Sequence, residues 1–223
     1  MRIPQSKGKR GSQKWLQIAV EQDWSDLSEP ILAALPPGRS IRWLSPCVDD
    51  EYSEYRDSSF LERLGLERLS GSLHEFWPRR GAVWDGLART DEGEYLIVEA
   101  KAHIGEFCSG ECKAESPNSI AQIKNALEWT AGQLGTNDLF VTVGFTAFYQ
   151  YANRLAHLAW LRGQGVEAFL VLVGFVDDAD MPGHTTPAAW EAAYLVADKA
   201  LGISRGHPLS SFIIHAHPTV KGR

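Results

Sequence analysis

Between Ser12 and Pro36 the apolar positions Trp15, Leu16, Ile18 and Ala19, then Trp24, Ile31 and Leu35, recur near the period of a helix. Ser12 offers a cap and Pro36-Pro37-Gly38 a stop, so the pattern predicts a helix whose apolar face packs inward. Ile41 to Leu44 follows as a short strand that Pro46 ends. From about Asp50 to Leu64 the spacing predicts an acidic helix with Phe60, Leu61 and Leu64 on its apolar face and Gly65 as terminator. Three strands are predicted next, Leu73 to Trp77, Ala82 to Arg89 and Glu94 to His103. Asp91-Glu92-Gly93 joins the last two as a three-residue hairpin loop, with Gly93 where the turn requires positive φ.

In the second half, Ile120, Ile123, Leu127, Ala131 and Leu134 define an amphipathic helix, and Ser119 with Gln122 has the spacing of a capping box. Leu139 to Phe145 alternates too briefly to decide between a strand and an irregular buried link. A helix is predicted from Tyr149 to Arg162, then a turn at Gly163-Gln164-Gly165. Glu167 to Val176 is apolar on both faces, which suits a strand inside a sheet covered by helices. Thr186-Pro187 starts a last helix through Trp190, Tyr194 and Leu201, and Ser211 to His217 reads as a final edge strand. Strands and helices interleave in this way in α/β proteins.

Composition narrows the class. The 223 residues suit one domain, and 44% hydrophobic with 22% charged residues supports a packed core over disorder. A formal charge of -6 argues against a protein that coats nucleic acid through bulk positive charge and leaves room for a local basic groove. Arg2, Lys7, Lys9, Arg10 and Lys14 precede the first acid, Glu21, so residues 1–14 are expected to form a flexible basic arm before a single domain at 15–223. Cys47, Cys108 and Cys112 are too few for a disulfide framework, and the start carries no apolar signal segment, which points to the cytoplasm. The longest apolar stretch, Ala168 to Val176, falls well short of the roughly 20 residues that span a bilayer, so no membrane association is expected.

The candidate chemistry lies at Trp84-Asp85-Gly86 and Val98-Glu99-Ala100-Lys101. Alternate strand residues share a face, so Glu99 and Lys101 project together. With 91–93 as the loop, Thr90 pairs with Glu94, and counting back sets Asp85 opposite Glu99. Facing carboxylates disfavour a sheet unless one is protonated or a cation lies between them. Oxygen donors suit a hard ion such as Mg2+ or Mn2+, with Asp85 and Glu99 as metal ligands and Lys101 at the edge. On the acidic helix, Glu54 and Asp57 lie near the apolar face while Glu62 points away, which ranks Glu54 as the third acid with Asp57 as the alternative.

An acid, a strand Asp and a Glu-x-Lys triplet in this order resemble the PD-(D/E)XK nuclease superfamily, over Asp50 to about Val176. Phe76-Trp77-Pro78, Trp84-Asp85-Gly86, Val98 to His103 and Tyr149 to Arg154 are also similar to uncharacterised bacterial proteins with that core. The resemblance implies an α/β restriction-endonuclease-like fold, a mixed central sheet flanked by helices, with its core at about 50–176. It implies a divalent-metal-dependent nuclease, with DNA the first choice of partner; a homodimer is kept as one assembly. Asp85 and Glu99 would hold metal and Lys101 would be the catalytic cation. Polar residues on the helix after Glu-x-Lys, here Gln150 and Arg154, would contact substrate. Trp84 stands where the family often has Pro. A nuclease-like fold that binds nucleic acid or protein without cutting is the alternative, and a plain Glu99–Lys101 surface pair is a third reading. His103, Cys108 and Cys112 do not match common zinc spacings. His215 and His217 share a strand face, and Trp77 and Trp84 are candidates to wall a cleft where a base stacks.

Overall fold

The chain opens with a two-residue strand, β1 (Arg2–Ile3), followed by helices α1 (Gly11–Glu21) and α2 (Ser25–Ala34) and strand β2 (Ile41–Ser45). The computed structural model describes residues 1–108, 110–183 and 185–220. Next come β3 (Glu54–Arg56), α3 (Ser58–Leu64), α4 (Ser70–Phe76), β4 (Val83–Trp84), β5 (Gly86–Thr90) and β6 (Tyr95–Lys101). The remainder is α5 (Ile104–Phe107), α6 (Pro117–Leu134), α7 (Asp138–Thr146), α8 (Tyr149–Gly163), β7 (Ala168–Gly174), α9 (Pro187–Ala200) and β8 (Ile213–Ala216).

Among the described residues the strands form two sheets, a mixed one in the order β2-β5-β6-β7-β8 and a small antiparallel one in the order β1-β3-β4. β2, β5 and β6 are antiparallel neighbours, whereas β7 runs parallel to β6 and β8 parallel to β7. Every residue of β7 is buried because both sheet faces are covered. Ile97 and Leu87 join a core with α3, α6 and α8, while Leu96, Val98 and Ala100 join a second core with Trp15, Leu16, Leu27 and Ile31 of α1 and α2. The odd-numbered side chains of β6, Glu99 and Lys101 included, therefore face the α8 side.

The β5–β6 hairpin has the expected geometry. Thr90 N–H donates to Glu94 O at 2.9 Å, and the register runs back to Gly86 opposite Val98. Gly93 has φ 103°, a conformation that a Cβ makes costly. Gly65 ends α3 at φ 78°, and Thr186 caps α9 by accepting from Ala189 N–H. Strands at 41–45, 95–101, 168–174 and 213–216 and helices at 149–163 and 187–200 lie where the patterns place them.

Other elements differ. The acidic helix from Asp50 shrinks to α3, and Glu54 stands instead on β3, because Tyr55 and Arg56 pair with Trp84 and Val83. Leu73 to Phe76 is helical, and Trp77, the extended residue that ends α4, is buried with Leu73 in one core. The strand expected over 82–89 is split at Asp85, because its two halves pair with different sheets. The segment 139–145 is helical, started by Asn137, whose side chain accepts from Leu139 N–H. Ser116 takes the N-cap position of α6, and Gln122 donates to His74 O and Glu75 O instead of closing a box with Ser119.

The first residues pair and bond with the body of the fold. β1 pairs with β3, Arg2 bonds Asp50 Oδ1 at 2.9 Å and Glu51 Oε2 at 2.7 Å, and Gly8 N–H donates to Gln17 Oε1 at 2.7 Å. Lys14 belongs to α1 and pairs with Asp180 at 2.8 Å. Among the described residues no helix is long and apolar enough to cross a membrane.

Candidate active site

Asp85 sits in the gap between β4 and β5, at the seam of the two sheets. One step beyond Gly86 opposite Val98 sets Asp85 opposite Glu99, and one step beyond Tyr55 opposite Trp84 sets Glu54 opposite Asp85. The three acids thus stand in one row across β3, the seam and β6. Asp85 Oδ2 accepts the Ala100 N–H at 2.8 Å, which ties the seam to β6.

Glu99 is buried and holds two cations. Lys101 Nζ bonds Oε1, and Arg154 Nε bonds Oε2 at 2.5 Å. Arg154 comes from the buried face of α8, donates through Nη2 to Val83 O at 2.8 Å, and lies 4.7 Å above the Trp84 ring. Truncating one partner of such a pair leaves an uncompensated buried charge. Glu54 Oε2 accepts from Gln5 Nε2 at 3.0 Å.

Burial, then the charge of Glu99, pushes the Asp85 carboxyl up to about 7. Burial also raises Glu54, against the hydrogen bond from Gln5, with Glu99 adding to the rise. Glu99 lies below the ordinary carboxylate range: burial opposes ionisation, and the charges of Arg154 and Lys101 outweigh it. Burial opposes the charge of Lys101 as well, but Glu99 and Asp85 raise its pKa above the usual lysine value. Glu54, Asp85 and Glu99 against Lys101 and Arg154 leave one surplus negative charge when all are ionised, and the proton affinities of Asp85 and Glu54 are both raised.

Among the described residues no group of three or more His, Cys, Asp and Glu is disposed to hold a metal unaided. The donors present are two facing carboxylates, and burial with the charge of Glu99 raises the proton affinity of one of them, Asp85. A hydrated hard divalent ion could use that set, since a cation would balance the negative charge that protonation of Asp85 otherwise removes. The set does not fit a site in which protein ligands fill the coordination sphere.

Gln150 and Arg154 reach the same crevice as Glu99 and Lys101, with Tyr151 and Tyr194 beside them. Arg154 is 4% exposed and committed to Glu99, so it positions a carboxylate where an open, substrate-facing edge was expected. The sequence signal was a lone cation inside Ala152-Asn153-Arg154-Leu155-Ala156, since an arginine on an apolar helical face needs a buried partner. Asp57 lies elsewhere, accepting the Gly81 N–H at 3.0 Å, and Glu62 is exposed. Trp77 and Trp84 are not open stacking platforms: both are buried around His157, at centroid distances of 4.9 and 5.7 Å. Cys108 is exposed, Cys112 half-buried, and both are free thiols. His215 is exposed on β8, packed by its ring against Tyr194.

Comparison with protein-family models, with curated proteins and with solved structures finds no match for this chain.

Proposed function

We propose that this protein is a divalent-metal-dependent phosphodiesterase acting on nucleic acid, DNA in the first instance, on a restriction-endonuclease-like core. The observation that carries the reading is the row Glu54, Asp85, Glu99 with Lys101 on the same strand face as Glu99. The antiparallel run β2-β5-β6, followed through α6 to α8 by a strand parallel to β6, is compatible with that core.

Asp85 and Glu99 would hold the ion. When bound, Mg2+ or Mn2+ would polarise a phosphoryl oxygen and make an attached water more acidic. Lys101, kept charged by its acidic neighbours, donates to phosphate oxygens as negative charge builds on them. Arg154 fixes the orientation of Glu99 and keeps it ionised. Glu54 adds a carboxylate of raised proton affinity to the same row, suited to accept a proton from water. Gln150 lines the crevice and offers an amide to substrate.

Asp85→Asn and Lys101→Ala should each reduce magnesium-dependent hydrolysis of a labelled oligonucleotide by about a hundredfold or more, the scale of losing one electrostatic group at a reacting centre. Circular dichroism should show the fold retained. Wild-type rates in either variant would sink the assignment. One observation favours a second reading, a nucleic-acid-binding module without catalysis: both oxygens of Glu99 already have cationic partners. Oligonucleotide binding with neither magnesium heat in calorimetry nor hydrolysis would select it.

A further inference from the structure

Three cations lie away from the acidic row, around a cavity of about 500 Å³ walled by the segment after α4, the segment before α6, and the first residues of α6 and α8. This volume is within the roughly 300–1,000 Å³ typical of small-ligand sites. Arg79, Arg80 and Lys113 line it, all exposed, and among the described residues none of them has an ion pair or hydrogen-bond partner. Glu115 is the acid in the wall, so the lining carries a surplus of two positive charges in a chain of net charge -6. Trp77 and Tyr149 supply aromatic lining. Cations gathered at a cavity raise the local concentration of anions there and favour an anionic occupant.

Tyr149 connects this cavity to the acidic row. It is the first residue of α8, Gln150 beside it lines the Glu99–Lys101 crevice, and Arg154 one turn further along binds Glu99. Trp77 packs on His157, which packs on Trp84 next to Asp85. One helix end thus presents the cavity and the row as neighbours.

We infer that this cavity is a nucleotide subsite, in which Arg79, Arg80 and Lys113 hold backbone phosphate of a single-stranded segment flanking the bond to be cut, with a nucleoside against Tyr149. Its choice of a polynucleotide rests on the phosphodiesterase reading; the cationic cavity does not. Neutralising two phosphate-contacting cations on a single strand should flatten the salt dependence of log K by roughly 1.4, at about 0.7 per phosphate.

The test is fluorescence anisotropy of the full chain with labelled single-stranded DNA and RNA 12-mers of matched sequence, without divalent metal, across a salt series. Arg79→Gln/Arg80→Gln should weaken binding at least tenfold and flatten the salt slope, and Lys113→Gln should act in the same direction. Arg68→Gln/Lys199→Gln removes the same charge from exposed positions outside the cavity and should change affinity less than twofold. Equal losses in both double variants, or wild-type protein that binds neither 12-mer, would overturn the subsite. A preference for the DNA or the RNA arm identifies which backbone it accepts, and either preference supports it. Loss of binding in the cavity variants with hydrolysis insensitive to Asp85→Asn would retain the subsite and remove the catalytic assignment. Asp85-dependent hydrolysis with unchanged binding would do the reverse.

Discussion

Asp85 is the residue on which the electrostatics of the site turn. Its carboxyl is raised to about 7, above an ordinary value near 4, so between those pH values the folded chain keeps a proton that the unfolded chain releases. The stability linked to that proton is fully present at low pH, declines as pH climbs towards 7, and stays lost above it. Asp85→Asn keeps an acceptor for the Ala100 N–H and removes the charge. The variant should therefore melt a few degrees above the wild type at pH 8, about 1–2 kcal/mol for a partly solvated group, with the gap closing by pH 4.5. Scanning calorimetry from pH 4.5 to 8.5 measures this, and a pH-independent gap would mean that Asp85 ionises as an ordinary carboxylate. Magnesium affinity should drop below pH 7 for the same reason, with proton release on binding. That Asp85 and Glu99 would meet was legible from loop length and strand period. That Arg154 would claim one oxygen of Glu99 was not, because the pairing crosses from α8 to β6 and no local pattern encodes it.

At the scale of elements, burial decided what periodicity left open. Residues 139–145 are apolar enough for either geometry, and the Asn137 cap with packing on α6 and α8 makes them helical. Leu73 to Trp77 contains residues acceptable to a strand, yet α4 runs to Phe76 and Leu73 and the following Trp77 enter one core. β7 was clear in advance, since few arrangements other than a covered central strand bury a run apolar on both faces. Its last residue, Gly174, lies so close to α9 that a Cβ would come within 2.5 Å of the Trp190 ring. Gly174→Ala should cost about 1–3 kcal/mol, read as a lower urea midpoint with unchanged slope. A variant as stable as the wild type would mean that Trp190 moves aside freely.

For the whole molecule, the small sheet β1-β3-β4 is the element that brings Glu54 to the metal-candidate pair, and it depends on the first residues of the chain. Gln5 bonds Glu54, and Arg2 bonds Asp50 and Glu51. Removing residues 2–7 should lower the melting temperature by several degrees and reduce hydrolysis, where loss of a mobile arm would leave both unchanged; differential scanning calorimetry and the oligonucleotide assay check the two parts. What this sequence determined by itself were its local regularities: the β5–β6 hairpin, the buried β7, the long helices, and an acid facing a Glu-x-Lys strand. These follow from side-chain period and turn chemistry over a few neighbouring residues. The tertiary structure alone decided that β4 and β5 part company at Asp85, that the first strand closes a second sheet, and that an arginine from α8 neutralises Glu99. The last two pairings join residues more than 50 positions apart, where the free energy lies in burial and in offsetting charge that exist only once the layers have met.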